Sequence, residues 1–586
     1  MYKIISLLLL TITFFNGYSI KAKPGLLTYY DDEGKSMEIR LYGDEFHHYT
    51  TDKDGYLLLE NPENKLEYAV IDSKGIISLS GKDAGSGITG MKGKLVELEK
   101  FTPVSPYSLN LNQVDKTTKF RVNNLNEPGA PKYRYSTSVF PTIGDPHSLV
   151  ILVEYPDHGF NVENPKEYFD DFLNGSNFIR DGANGSCSKY YKDNSSGLFN
   201  PMFDVYGPVL LAHNRVYYGG GSEMNACQMV VEAVNALDPY VDFSQYDHNN
   251  DGYVDSVYII YSDKGQADGG PAESVWPYSW ELESEEIFLE ADGVKFNMYG
   301  CSNELQADGQ MEGIGTFTHE FGHVLGLPDL YNTDNPYDTS TPDEWSLMDS
   351  GSYNNDTRTP CGLSSFEKYS LGWINPQEIL ASGRYQLSPL NESDNCYILT
   401  TEENPDEFYM LEFRNKKGWD EFHPGHGMLV WHIDFLQSEW DENTLNNNPK
   451  RQRVEIFCAD NDKSARNRGG DPFPGSENVT MFGENTLPPL VASNGKSLNV
   501  TSVYNINESA DKIEFEAKVT EFRGDSGIKD TIEDNIKING NKVTAGSYSV
   551  DIYEVTGRKI FTLSSGETVT LPKGIYFIGN KKVLIH

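Results

Sequence analysis

Apolar positions along the chain fall mainly in short alternating runs separated by turn residues, the pattern of β-structure. Residues 26–80 alternate in this way, for instance Glu38-Ile39-Arg40-Leu41-Tyr42 and then the turn Asp54-Gly55, and predict a small β-rich unit over 23–103. Residues 104–138 are rich in Pro, Asn, Ser and Lys without periodicity, as a linker is. The strand-like run Leu149-Val150-Ile151-Leu152-Val153 opens a mixed unit over 139–380, in which residues 223–237 are helix-like. Short β runs return over 381–522 and predict a β-sandwich. The polar stretch 523–535 reads as a second linker, and 536–586 as a last small β-rich unit.

A length of 586 residues agrees with several domains. Charge narrows the partners. The chain carries 48 Lys and Arg against 87 Asp and Glu, a net charge of −39. A phosphate-binding surface must be basic, so no nucleic-acid partner is expected. The excess of carboxylates suits solubility outside the cell and hard cations such as calcium. Met1-Tyr2-Lys3, the apolar run from Ile4 to Phe15, and Asn16-Gly17-Tyr18-Ser19 predict a secretory signal peptide over 1–22, cut near Ser19 or Ala22. The apolar run is too short to span a bilayer, and no later segment reads as a transmembrane span. Cys187, Cys227, Cys301, Cys361, Cys396 and Cys458 show no C-x-x-C spacing. An even count in an exported protein permits disulfides, and buried free thiols fit equally well.

The densest chemistry lies in His319-Glu320-Phe321-Gly322-His323-Val324-Leu325-Gly326-Leu327-Pro328-Asp329. Histidines four apart share one helical face, so both imidazoles reach one metal, and zinc is the expected ion. Glu320 is rotated by about 100° and falls beside the metal, where a general base for an activated water belongs. Phe317, Phe321, Val324 and Leu325 give the helix apolar contacts. Gly326 is placed to end the helix in a left-handed turn that swings Asp329 back as third ligand, and Pro328 stops the helix from continuing. An Asp in place of a third histidine leaves the site one charge less positive and its water slightly less acidic. Tyr353 is either a phenol donor to an oxyanion or a packed tyrosine.

Trp345-Ser346-Leu347-Met348-Asp349-Ser350-Gly351 resembles the methionine turn of metzincins, which implies Met348 as an apolar floor under the metal. The metal motif, continued as far as Tyr331 (HEFGHVLGLPDLY), is similar to that of immune inhibitor A-type metallopeptidases. So are Leu41-Tyr42-Gly43-Asp44-Glu45-Phe46, Asp204-Val205-Tyr206-Gly207-Pro208, Leu371-Gly372-Trp373-Ile374-Asn375-Pro376 and Gly427-Met428-Leu429-Val430-Trp431-His432-Ile433-Asp434. The resemblance covers about residues 24–520. It implies a multidomain protein: an α/β (α+β) metzincin-like zinc protease domain flanked by a small β-rich prodomain and C-terminal β-sandwich domains. It also implies peptide-bond hydrolysis of protein or peptide substrates.

Three further segments carry expectations. Asp247, Asn249, Asp251, Tyr253 and Asp255 stand at positions 1, 3, 5, 7 and 9 of a calcium-loop pattern with Gly252 at position 6. Position 12 is Tyr258 rather than Glu, so one ligand must come from elsewhere; calcium is the expected ion, with an Asx-rich turn as the alternative. Leu41-Tyr42-Gly43-Asp44 resembles the F-x-G-D latency segment of astacin propeptides, with Leu in place of Phe, and implies Asp44 as a zinc-blocking switch. His47 and His48 are expected at the surface. At the end of the chain, Ser549-Val550-Asp551-Ile552-Tyr553-Glu554-Val555-Thr556-Gly557-Arg558-Lys559 and Leu571-Pro572-Lys573-Gly574-Ile575-Tyr576 look like a type IX secretion sorting domain. This implies a secretion-machinery partner, export through the periplasm, and release or attachment at the cell surface.

Overall fold

The computed structural model describes residues 18–86, 94–95, 133 and 138–519, apart from short stretches at 31–34, 45–47, 62–64, 72–76, 220–224, 336–337, 402–403 and 465–466. It also describes 536–585, apart from 540, 547–549, 555–558 and 579–580. The signal-peptide residues before Tyr18, nearly all of the 104–138 linker, the 523–535 linker and His47 lie outside the described residues. The chain forms two compact units, residues 1–519 and 520–586.

The first unit is organised by a six-stranded mixed sheet. Its strands are β1 (His147–Glu154), β2 (Met202–Leu210), β3 (Val257–Lys264), β4 (Tyr278–Glu281) and β5 (Met298–Leu305), with the short strand Tyr18–Ser19 added at one edge. The spatial order is Tyr18–Ser19, β4, β5, β3, β1, β2. β2, β1, β3 and β5 run parallel, whereas β4 is antiparallel to β5. Parallel strands are covered on both faces, which explains the unbroken apolar run of β1. Val150 and Leu152 face one core, and Leu149, Ile151 and Val153 face the other. The second core is closed by helix α1 (Ala226–Leu237); residues 223 and 224 of the helix expected over 223–237 lie outside the described residues. Helix α2 (Ile314–Leu325) closes the first core and packs against β4 and β5.

Residues 27–95 form a separate seven-stranded sheet in which sequential strands from Leu27–Tyr30 to Ile77–Asp83 pair antiparallel. Residues 377–519 form a five-stranded and a four-stranded sheet. Their shared core includes Leu399, Leu411, Phe413 and Val430 from the first and Leu387, Phe482, Val503 and Phe515 from the second. The strand Glu407–Arg414 is buried along its whole length. Tyr409, Leu411 and Phe413 point into that sandwich, while Phe408 and Met410 join the core that holds α2. The segments on either side of residue 380 thus share one apolar core.

The six cysteines are all buried free thiols. No helix among the described residues is long and apolar enough to cross a membrane. The second unit has its own core of Val543, Ile552, Leu571 and Ile578. It lies between a three-stranded sheet and a four-stranded one that ends in Lys581–Ile585.

Candidate metal centre and its cleft

Every residue of α2 is buried. Two of its glycines make that possible. Gly315 and Gly322 are seven apart and share a face. A Cβ on Gly315 would stand 2.0 Å from the Ser352 carbonyl oxygen, and one on Gly322 would stand 2.7 Å from Met348 Sδ. The 346–353 segment is therefore pressed against the helix, with Met348 buried beneath Gly322 between the two histidines in sequence.

The helix stops at Gly326, which adopts φ 101°. The Gly326 N–H donates to the His323 carbonyl at 2.9 Å and the Leu327 N–H to the Gly322 carbonyl at 3.0 Å, the paired bonds of a Schellman cap. The chain then turns back. Asp329 Oδ1 lies 3.2 Å from His319 Nε2 and 3.4 Å from His323 Nε2. Among the described residues this trio is the group of His, Cys, Asp or Glu side chains whose ligand atoms converge, all within 4.8 Å of one another.

The imidazoles are set from behind. His319 Nδ1 lies 2.8 Å from the Leu347 carbonyl and His323 Nδ1 2.8 Å from the Leu327 carbonyl. A carbonyl only accepts, so each Nδ1 carries the hydrogen and each Nε2 turns its lone pair to the centre. Burial lowers the His323 pKa against the pull of Asp329. Neutral imidazoles and an ionised carboxylate are the forms that bind a metal. His319 Nε2 and Asp329 Oδ1 are buried and take part in no hydrogen bond. Two nitrogens and one carboxylate oxygen, buried and converging, suit zinc.

Asn443, from the β-sandwich part of the chain, grips the back of Asp329. The Asp329 N–H donates to Asn443 Oδ1 at 2.8 Å, and Asn443 Nδ2 donates to Asp329 Oδ2 at 2.7 Å. Nothing local in the sequence announces this partner.

A second feature unseen in the sequence is what lies against Glu320. Residues 18–22, which the sequence reading assigned to the signal peptide, are folded into the first unit. Tyr18 and Ser19 pair antiparallel with the edge strand β4, Ser19 opposite Tyr278. The Ile20 N–H donates to Glu320 Oε1 at 2.9 Å. The Tyr331 hydroxyl donates to the Ser19 carbonyl at 2.7 Å and Trp276 Nε1 to the Ile20 carbonyl at 2.8 Å. The Tyr353 hydroxyl donates to the Lys21 carbonyl at 2.6 Å. Tyr353 thus faces the cleft, two residues beyond the carbonyl that Tyr331 touches. Lys21 Nζ reaches Asp349 Oδ1 at 2.6 Å, and the Ala22 N–H donates to the Gly43 carbonyl at 2.7 Å.

The remaining expected residues fall outside this centre. Asp44 is buried beside Gly43, with its carbonyl 3.0 Å from His48 Nδ1, and is not in the converging trio. His48 is exposed and packs on Trp276. In the 247–255 loop, Asp247 accepts the Asp251 and Gly252 N–H groups, Asn249 accepts the Asp251 N–H, and Asp251 accepts the Tyr253 N–H. Asp255 is buried. Its Oδ2 lies 2.7 Å from His248 Nδ1, and its Oδ1 has no hydrogen-bond partner. Burial raises its pKa against the pull of His248.

Comparison with known proteins covers the same part of the chain. Residues 147–375 match the family described as immune inhibitor A peptidase M6, catalytic domain. The pre-pro-metalloprotease PrtV of Vibrio cholerae serotype O1 is 30% identical over 35% of this chain and 26% of its own length. Immune inhibitor A of Bacillus thuringiensis subsp. alesti is 24% identical over 35% of this chain and 36% of its own length. The chain spans 26% and 36% of these two relatives, so the likeness concerns the catalytic region. Residues 147–375 are thus similar to the catalytic domain of the immune inhibitor A metallopeptidases.

Proposed function

We propose that this chain is a secreted zinc-dependent endopeptidase, with His319, His323 and Asp329 as zinc ligands and Glu320 as general base. The observation that carries the reading is the buried, converging trio with Glu320 one residue along the same helix. Zinc supplies Lewis acidity there: it polarises a carbonyl and brings the pKa of water toward about 7. Glu320 takes the proton of the attacking water and returns it to the leaving amine nitrogen. The Ile20 nitrogen, 2.9 Å from Glu320 Oε1, marks the place of that amine. Tyr331 donates to the carbonyl oxygen as negative charge grows on it. The β4 edge holds the peptide extended, as strand addition does. Met348 under the helix supports a metzincin-like arrangement.

The setting belongs to the same proposal. Residues 18–23 cover Glu320, so the unprocessed chain is latent. Asp44, by its resemblance to the zinc-capping Asp of astacin propeptides, is the proposed latency switch; activity in the unprocessed Asp44→Ala protein checks this, and silence equal to the parent's overturns it. The 247–255 loop binds calcium, with Asp255 Oδ1 as a waiting ligand; calorimetric calcium titration of the protein and of its Asp251→Ala variant tests this, and equal heats overturn it. Protein substrates are met outside the cell, reached through the periplasm, and residues 536–586 engage the secretion machinery.

Metal analysis and casein cleavage by the matured protein and by Glu320→Ala test the enzyme reading. Zinc at one per chain in both, with cleavage by the parent alone, is expected. Equal cleavage by both overturns the mechanism. Zinc without cleavage by the matured parent turns the reading into that of a surface binding protein on a peptidase fold.

A further inference from the structure

The cleft segment shows what a substrate meets beyond the reacting bond. Its register is fixed at three points: the Ser19 carbonyl on Tyr331, the Ile20 N–H on Glu320 and the Ile20 carbonyl on Trp276. The Ser19–Ile20 bond therefore lies where a scissile bond would lie, and Lys21 is the second residue after it.

The Lys21 side chain is largely enclosed, with 17% of its surface exposed. Its Nζ is 2.6 Å from Asp349 Oδ1 and 3.7 Å from Asp343 Oδ1, and 5.9 Å from the centre of the Tyr331 ring. These carboxylates are built in. Asp349 is fully buried and accepts the N–H groups of Ser350 and Asp343, each at 2.8 Å. Asp343 is also held by Arg468 Nη2 at 3.2 Å. Arg468 is shared with Asp471, which lies 3.7 Å from it on another side. Two carboxylates against one shared guanidinium leave an excess negative charge in a place with little water. Such a charge requires a cation. The neighbouring lysine repeats the theme, since Lys23 pairs with Asp356.

We propose that Asp343 and Asp349, with the Tyr331 ring, form a substrate subsite for a lysine or arginine side chain two residues C-terminal to the cleaved bond. The enzyme's substrates are then proteins that carry a basic residue at that place. This deepens the peptidase reading above and rests on it.

The test uses the matured protein and quenched peptides identical except for Lys, Arg, norleucine or Glu at that position, with the cut located by mass spectrometry. A kcat/KM for Lys and Arg about tenfold or more above norleucine is expected, because an unpaired buried charge is costly, with Glu lowest. Asp349→Asn should draw the Lys-to-norleucine ratio toward one; Asp343→Asn serves as second variant if the first does not fold. Equal rates for the Lys and norleucine peptides in the parent, or an unchanged ratio in the variants, overturn the subsite while leaving the peptidase intact. A parent that holds zinc and cleaves none of the peptides overturns the peptidase reading and the subsite with it. Hydrogen exchange of the unprocessed protein gives a readout without turnover. Lys21→Met should speed exchange at the Ala22 and Lys23 amides about tenfold, on the same unpaired-charge argument, and Lys21→Arg should not. Equal exchange in all three proteins overturns the charge preference of the pocket.

Discussion

Asn443 holds Asp329 at two points, accepting its N–H at 2.8 Å and donating to its Oδ2 at 2.7 Å. This leaves Oδ1 turned toward the two histidines. Asn443 sits just past the short helix Gln437–Asp441 with φ 52°, a conformation that asparagine adopts more readily than most residues. Outer partners of this kind orient a ligand. Asn443→Ala should therefore weaken zinc about 10- to 100-fold, read by competition with a chromophoric chelator. Asn443→Asp should be worse, because a carboxylate has no hydrogen to give Asp329 Oδ2. Parent-like zinc affinity in the Ala variant would remove Asn443 from the site.

Two tyrosines face the cleft and are predicted to do different work. Tyr331 meets the carbonyl next to the Glu320-bound nitrogen, whereas Tyr353 meets a carbonyl two residues further on. Burial pushes the Tyr353 phenol well up, so it stays a donor. Tyr331→Phe should lower kcat about 100-fold, as loss of one oxyanion donor does, with KM nearly unchanged. Tyr353→Phe should act mainly on KM. Steady-state kinetics on one peptide separates them, and the opposite pattern would exchange their roles.

The glycine face of α2 gives a prediction about packing. A methyl on Gly315 runs into the Ser352 backbone oxygen, which is fixed by the fold, while one on Gly322 meets the end of the Met348 side chain. Overpacking costs about 1–3 kcal/mol where a side chain gives way. Gly322→Ala should lose stability in that range, and Gly315→Ala should lose more or fail to fold. Urea unfolding ranks them; equal stability would mean that the 346–353 segment is not pressed on the helix.

How far the sequence could be read follows from how local each feature is. The two histidines, Glu320, Gly326 and Asp329 lie within one helix and its cap, so spacing points to them, with the family resemblance added for Asp329. Asn443 is 114 residues from Asp329, and Ile20 is 300 residues from Glu320. No local pattern encodes such pairings. The apolar character of residues 1–22 points to a signal peptide, yet it does not say that residues 18–22 can also pair with a sheet edge. The core shared across residue 380 did leave a trace. Phe408-Tyr409-Met410-Leu411 is apolar without alternation, the mark of a strand covered on both faces. The 247–255 loop is legible as a turn, because Asx side chains accepting nearby N–H groups need no partner from elsewhere.

His432 offers a test of stability against pH away from the metal. Its Nε2 lies 3.0 Å from Glu407 Oε1 and its Nδ1 3.0 Å from Glu455 Oε1. Burial opposes its charge, but the two carboxylates raise its pKa above 6.5. Burial likewise opposes charge on Glu407, and His432 brings its pKa down to about 2 from 4.5. The signs follow from linkage. The depressed Glu407 stabilises the fold above pH 4.5, and that contribution is lost as pH falls toward about 2. The raised His432 stabilises it below 6.5, and that contribution is lost as pH rises through the folded value. The pair is thus worth most between these limits. His432→Gln should cost on the order of 2 kcal/mol near pH 5.5 and less at both about pH 3 and about pH 9 by the same linkage. Urea midpoints of parent and variant at the three pH values check this. A cost that does not change with pH would show that His432 is held by packing on Tyr409, whose ring lies 4.4 Å away, rather than by charge.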